Sequence, residues 1–296
     1  DIEKAMETLE INKNSNDLFH GFDTKKEKNL FIVENKKNFD EESVLISEII
    51  IEGWENHPEG RKLELAAYDS MSIKPGSIIN NQILNKDLNA IYASGWFSGV
   101  KITSQDGPLG VRLIVKVVPN PILKKVELNP KSSVIPNEYV DEIFRNFYGT
   151  TINLYEFQNK IEIIKKRYAS EGYSLARING PDRISDNGIV TLNVSEGIIS
   201  DVKLRFQGSD GQTIVDDDGN PRKGKTKEWV IKRELKTQPG TIFNRKILEA
   251  DISRLYATSL FDDVKVSLGP DNSNPGQVII FLDLSEQRTG SLTGGL

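Results

Sequence analysis

His20 and His57 are the only histidines in the chain, and neither has a second donor at metal-ligand spacing. Zinc binding or imidazole catalysis needs several donors converging on one point, so neither is expected here. The absence of cysteine removes disulfides, thiolate nucleophiles and sulfur-ligated metals together. No G-x-S-x-G, H-E-x-x-H, Walker-type glycine loop or dinucleotide fingerprint occurs. The densest set of hard oxygen donors is Asp216-Asp217-Asp218-Gly219. An EF-hand requires alternate ligands before its glycine and a distal glutamate, so this run, followed by Pro221, reads as a solvated turn. The basic stretch Arg222-Lys223-Gly224-Lys225-Thr226-Lys227 is either a docking patch for acidic surfaces or an exposed loop balancing that turn, and the second is the simpler reading. Tyr92 and Tyr256 read as core packing, and Trp54, Trp96 and Trp229 do not recur in register. No catalytic residue, cofactor or metal is expected, and the chain does not read as an enzyme.

With no chemistry to position, the organisation of the chain carries the information. Its 296 residues, 37% hydrophobic and 27% charged with 23 Gly and 12 Pro, suit two or three folded domains rather than a disordered chain. A formal net charge of -5, from 38 basic and 43 acidic side chains, leaves no footprint for a phosphate backbone, so nucleic acid is not an expected partner. No apolar run is long enough to cross a bilayer as a helix. Asp1 without an initiator methionine and the stop at Gly294-Gly295-Leu296 read as a piece of a longer protein.

The strongest signal is internal repetition. Lys74 to Ile102 aligns without gaps onto Gln238 to Val266, with 12 identities in 29 positions. A weaker copy runs from Tyr148-Gly149-Thr150 and Asn153 through Tyr168 and Gly172 to Ile178, and needs a three-residue insertion. Asn80, Asn153 and Asn244 stand where a side-chain oxygen can cap a helix. Helical spacing follows in Leu84, Leu88 and Ile91, in Phe157, Ile161, Ile164 and Tyr168, and in Leu248, Ile252 and Leu255. An earlier helix is expected over Arg61 to Met71, Asn137 to Asn146 and Glu228 to Leu235. Pro75-Gly76 and Pro239-Gly240 close the outer two.

Extended apolar segments flank each copy: Leu45 to Ile51, Leu123 to Leu128 and Val202 to Phe206 before it, Val111 to Val118, Ile189 to Val194 and Val278 to Leu284 after it. Alternation at Val264, Val266 and Leu268 suits an edge strand, and the more continuous run Val278 to Leu282 a central one. The fold class is therefore α+β, as three tandem β-α-α-β-β modules, each a small mixed three-stranded sheet with two helices on one face. Their bounds are 44–120, 121–197 and 198–287. Residues 1–43 read as an extension or linker, in which Leu30-Phe31-Ile32-Val33 is either an edge strand or, more simply, a short hydrophobic anchor.

The motif P-G-[ST]-I-x-N, an amphipathic helix ending in Tyr-Ala-[ST], then Phe and an alternating strand with Val-Lys, resembles the polypeptide-transport-associated (POTRA) domain. The resemblance covers about 44 to 287. Followed by Glu286 to Leu296, it looks like the soluble arm of a BamA/Toc75-type outer-membrane assembly protein, with 288–296 as the start of a transmembrane β-barrel. The middle copy departs from the motif: it carries Tyr148-Gly149 in place of Pro-Gly. The structural repeat is thus Pro75, Gly76 and Asn80; Gly149 and Asn153; and Pro239, Gly240 and Asn244.

The resemblance implies an arm on the periplasmic face of an outer membrane, or at the plastid outer envelope, that binds unfolded β-barrel precursors. Its further partners would be its own membrane barrel and accessory periplasmic proteins. The implied route is addition of a client strand to a sheet edge. We place that edge at Val100, Lys101 and Ile102, at Leu175, Ala176 and Arg177, and at Val264, Lys265 and Val266. The alternatives are a docking connector that never touches clients and a two-partner secretion arm, which normally has two modules. The joints Pro119-Asn120-Pro121 and Ser195-Glu196-Gly197 are short, and an extended string of modules is expected.

Overall fold

Alternating apolar residues give each strand one buried face, and the two helices of each module supply the layer that covers it. The structure is a computed structural model that describes residues 31–34, 44–132, 134–180, 184–208, 211–216, 219 and 222–287. The extension contributes β1 (Phe31–Glu34). Module 1 then runs through β2 (Val44–Glu52), α1 (Gly60–Ser70), β3 (Ile78–Ile79), α2 (Asn81–Ala93), β4 (Phe97–Gly107) and β5 (Gly110–Pro119). Module 2 holds β6 (Lys125–Asn129), α3 (Asn137–Phe144) with a 3-10 turn Arg145–Phe147, α4 (Leu154–Ser170), β7 (Arg177–Asn179) and β8 (Ile189–Ser195). Module 3 holds β9 (Ile198–Phe206), α5 (Glu228–Lys232), α6 (Arg245–Ala257), β10 (Phe261–Pro270) and β11 (Gln277–Glu286).

The chain is α+β, with one sheet per module and the same strand order in each: penultimate strand, last strand, first strand. The last strand is central. It runs parallel to the first strand, as β2 with β5, β6 with β8 and β9 with β11, and antiparallel to the penultimate one where β4 meets β5 and β10 meets β11. Val111, Leu113, Val115 and Val117 of β5, Val190, Leu192 and Val194 of β8, and Ile280, Leu282 and Leu284 of β11 are all buried. They meet the helix face formed by Leu84, Leu88 and Ile91 in module 1 and by Leu248, Ile252 and Leu255 in module 3. Each such side chain stabilises its core by about 1.5–3 kcal/mol. Contacts form two compact units: among the described residues, one takes in 31–164 and 178–193, the other 165–177 and 194–287.

Module 1 departs from the three-stranded expectation. Its sheet has five strands, because β3 pairs antiparallel with β2 and β1 lies parallel on β4. The first helix of module 3 is also shorter than expected, with five residues.

Pro75-Gly76 and Pro239-Gly240 do not stop helices; α1 has already ended at Ser70, where Met71 turns extended. They build a type II turn, in which proline fixes the first φ and glycine supplies the positive second one. Gly76 and Gly240 have φ 91° and 83°, and the closing bonds are Ser77 N–H to Lys74 O at 2.9 Å and Thr241 N–H to Gln238 O at 3.2 Å. Module 2 makes the same turn without proline: Tyr148 sits at φ -64°, ψ 130°, Gly149 at φ 83°, and Thr150 N–H donates to Phe147 O at 3.1 Å.

Asp87 and Asp251, one of the identities between the outer copies, are buried in their helices. Asp87 accepts from the Ser72 N–H at 3.0 Å, the Ser72 hydroxyl at 2.6 Å and the Ile73 N–H at 2.8 Å. Asp251 accepts from the Lys236 N–H at 3.0 Å and the Thr237 N–H at 2.7 Å, and pairs with Arg254. Each carboxylate ties the second helix to the segment between first helix and turn. Asp87→Ala would strand two backbone donors and should lower the stability of module 1 by about 2–3 kcal/mol, read as a lower urea midpoint in tryptophan fluorescence. An unchanged midpoint would show that the strut carries no load.

Candidate functional site

A three-stranded sheet presents two rows of unpaired backbone groups, and each is a template for another strand unless something covers it. The first-strand side is covered in every module by the type II turn. Gly76 N–H donates to Ile46 O at 2.7 Å and Ile46 N–H to Ser77 O at 2.9 Å. The same reciprocal pair joins Gly149 and Thr150 to Leu123, at 2.8 and 2.9 Å, and Gly240 and Thr241 to Ile199, at 2.7 and 2.9 Å. In module 3 the far end of β9 is covered as well, by the Ile214 N–H donating to Phe206 O at 2.8 Å.

The penultimate-strand side differs between modules. On β4 the expected open edge at Val100, Lys101 and Ile102 is taken: Phe31, Ile32, Val33 and Glu34 stand opposite Val100, Lys101, Ile102 and Thr103 in parallel register. This corrects the reading of 1–43 as linker for residues 31–34, which supply backbone partners that β4 otherwise lacks. On β7 only Arg177 of the expected trio is in a strand. Leu175 and Ala176 lie in the preceding turn, where Ala176 N–H donates to Tyr173 O at 3.1 Å, and Leu175 packs against the module 3 core. A three-residue edge offers little to an incoming chain.

The outer side of β10 pairs with no strand among the described residues. Val264 and Val266 bury their side chains, and Lys265 faces out beside Asp263 at 3.4 Å. The backbone at Val264 is not available, because its N–H donates to the Tyr256 hydroxyl at 3.1 Å, and that hydroxyl donates in turn to Asp263 at 3.2 Å. This bond shows which way the ladder runs. Alternate residues of an antiparallel strand direct N–H and C=O to the same side, and the register with β11 is continuous from Asp263 to Pro270. Val266 and Leu268 therefore point their backbone groups outward with Val264, while Lys265 and Ser267 bond to β11. The open window, Val266 and Leu268, shares Val266 with the expected trio and extends beyond it. Tyr256, read from sequence as packing, seals its near end.

The repeat asparagines have two jobs. As caps, Asn80 Oδ1 accepts from Ile83 N–H at 2.9 Å, Asn153 Oδ1 from Tyr155 and Glu156 at 3.0 and 3.1 Å, and Asn244 Oδ1 from Lys246 and Ile247 at 3.0 and 3.2 Å. In the second and third copies the amide group also reaches the helix end of the preceding copy. Asn153 Nδ2 donates to Ser94 O at 2.9 Å, and Asn244 Nδ2 to Glu171 O at 3.0 Å. Leu154 N–H donates to Gly95 O and Arg245 N–H to Gly172 O, both at 2.8 Å. Glycine is required at both places. Their φ values are 81° and 98°, and a Cβ would lie 2.8 Å from Asn153 Oδ1 and 2.5 Å from Asn244 Oδ1.

The joint at Pro119-Asn120-Pro121 adds a buried Asn120, whose Nδ2 donates to Gly95 O and Ile152 O at 2.9 Å each. At Ser195-Glu196-Gly197, Glu196 accepts from the Tyr168 hydroxyl at 2.8 Å. Of the other candidates, His57 closes the turn before α1, its Nδ1 accepting the Glu59 N–H at 3.2 Å. Gly219 N–H donates to Asp216 O at 3.0 Å, a turn as expected. His20, Asp217, Asp218, Pro221 and the expected barrel start at 288–296 lie outside the described residues. Among the described residues no helix is long and apolar enough to cross a membrane, which leaves strand-built barrels untouched, and no acidic or histidine cluster is arranged for a metal.

Two family models match the chain: "POTRA domain, ShlB-type" over 122–197 and "Surface antigen variable number repeat", also a POTRA model, over 219–287. The N-terminal domain of Omp85 from the cyanobacterium Thermosynechococcus elongatus is 39% identical, with a TM-score of 0.72 over 84% of this chain and 100% of that one. POTRA1-3 of the periplasmic domain of Omp85 from Anabaena is 38% identical, with a TM-score of 0.70 over 84% and 97%. Outer envelope protein 80 of Arabidopsis thaliana chloroplasts is 27% identical over 257 residues, 86% of this chain and 34% of that protein. The chain thus spans about a third of the length of the curated relatives it matches.

The first joint also contains a titratable clasp. Glu59, at the start of α1, accepts from both the N–H and the hydroxyl of Thr151 at the start of the next module's second helix. Burial pushes its carboxyl up, but the bonds from Thr151 and Lys62 outweigh that and hold it below its ordinary 4.5. A carboxylate with a lowered folded pKa stabilises at pH above the unfolded value and stops doing so as pH falls through the folded one. Acidification from about pH 6 to about pH 3 should therefore lower the melting temperature more in the parent chain than in Thr151→Val. Equal losses in both would show that the clasp does not couple to stability.

Proposed function

We propose that this chain, which belongs to the Omp85 family and carries its POTRA modules, is a polypeptide-binding arm on the periplasmic or intermembrane-space side of an outer membrane. It receives unfolded β-barrel precursors by strand addition and serves a membrane barrel in the same machine, with accessory proteins as further partners. The observation that carries the reading is the outer row of β10, unpaired among the described residues, where Val266 and Leu268 present backbone groups while the ladder to β11 runs on from Asp263 to Pro270.

Main-chain bonds read no sequence, which suits an arm with many clients. Two outward residues offer about four bonds, each worth roughly 0.5–1.5 kcal/mol net before the ordering of the client is subtracted. The affinity that remains is about 0.1 mM or weaker. A client held this way is released as readily as it is captured.

Val266→Pro removes an outward donor and obstructs the row without breaking the β11 ladder, whereas Lys265→Pro breaks that ladder. Full-length Val266→Pro, shown folded by circular dichroism, should bind a urea-denatured β-barrel precursor about ten-fold more weakly than the parent. Undiminished binding by the folded variant, or crosslinking of the parent only to folded partner proteins, would replace the client-binding reading with that of a docking connector.

A further inference from the structure

β1 is the one strand in the described residues that comes from outside the repeat, and it lies where a client strand would lie. It occupies the penultimate-strand side of module 1, the position that among the described residues is open at β10 in module 3. From this juxtaposition we infer that residues 31–34 are a tethered internal ligand, which keeps the β4 edge closed until an extended chain displaces it. The occupant is a segment of this chain. Its competitor is a short β-prone polypeptide able to run along β4.

Three features support displaceability. The pairing is four residues long, Phe31 to Glu34 against Val100 to Thr103, so the few bonds it makes are comparable with the entropy of ordering the segment. Among the described residues β4 is the one strand that pairs with β1, whereas β4 keeps its ten-position ladder to β5, from Phe97 to Gly107, when β1 leaves. The tether has sufficient length: Glu34 stands level with Ile50, three strand spacings across and six residues along β2 from Val44, a span of roughly 25 Å. Ten residues reach about 33–36 Å when extended. The segment Phe-Ile-Val is also aromatic and β-branched, the composition that favours a strand wherever an edge is available.

The occupancy stands on the register, and the identity of the competitor rests on the strand-addition function proposed above. Successive residues of a strand point their N–H groups to opposite sides, so the double substitution Ile32→Pro and Val33→Pro must remove one donor facing β4. The probe is a fluorescent peptide of residues 28–37, free of any client protein, titrated into the full-length parent and the double variant. A tether acts as millimolar competing ligand, so the variant should bind the peptide about ten-fold more tightly or better. Amide exchange should quicken in it at the alternate residues of Val100 to Thr103 whose N–H faces β1, and stay slow at those bonded to β5. Equal peptide binding and unchanged exchange would overturn the inference. A second arm uses the denatured precursor. Tighter binding by the double variant supports the gate, and a gain for peptide alone removes it. Failure of the client reading itself would appear separately, as indifference of precursor binding to Val266→Pro.

Discussion

Backbone groups at the sides of a small sheet must be bonded by something, and the modules of this chain meet that demand asymmetrically. A sheet of three strands has as many edges as a large one and far less interior, so edge chemistry weighs heavily in it. On the first-strand side a type II turn lies against the strand through a reciprocal pair of bonds, repeated at Ile46, Leu123 and Ile199. Placing the last strand in the centre leaves the penultimate strand outside, and among the described residues no equivalent turn reaches it. What happens there varies with the module: coverage by β1, shortening at β7, exposure at β10.

The joints reuse parts that each module needs anyway. A helix N-terminus requires a cap and a helix C-terminus has carbonyls to spare. Asn153 and Asn244 satisfy both with one side chain, Oδ1 toward their own helix and Nδ2 toward the preceding one. Glycine at 95 and 172 makes the approach possible. In the third copy the corresponding helix ends in Ser259 at φ 55°, a non-glycine residue in the left-handed region. The Cβ that glycine omits at the other two sites is present there, and Asn80, with no copy before it, acts as a cap only.

Much of this was legible in the sequence. Helical and alternating periodicity, capping asparagines and the repeat itself led to the α+β plan, because each reports local geometry. Features that depend on direction were less accessible. The Pro-Gly pairs look like helix stops, yet α1 ends before reaching them, and their role as turns docked on a distant strand depends on tertiary bonds. The recurring Asp of the outer copies is visible as an identity, but nothing local says that it faces inward to bind backbone; α4 of the middle copy has none. In the middle copy the strand begins only at Arg177, and the turn that precedes it, with Leu175 packed on the module 3 core, has no local signal. The hydroxyl of Tyr256 cannot be aimed from composition, so the loss of Val264 from the open window, which runs on from Val266 to Leu268, was hidden. Residues 30 to 33 announce a strand former without naming its partner.

The central claim is that β10 carries the unpaired row, with alternate residues facing out. Residue-resolved amide hydrogen exchange of the full chain tests it most directly. Fast exchange at Val266 and Leu268, between slow amides at Lys265 and Ser267 and with Val264 slowed by its bond to Tyr256, is the pattern the account predicts. Protection running evenly along β10 would contradict it.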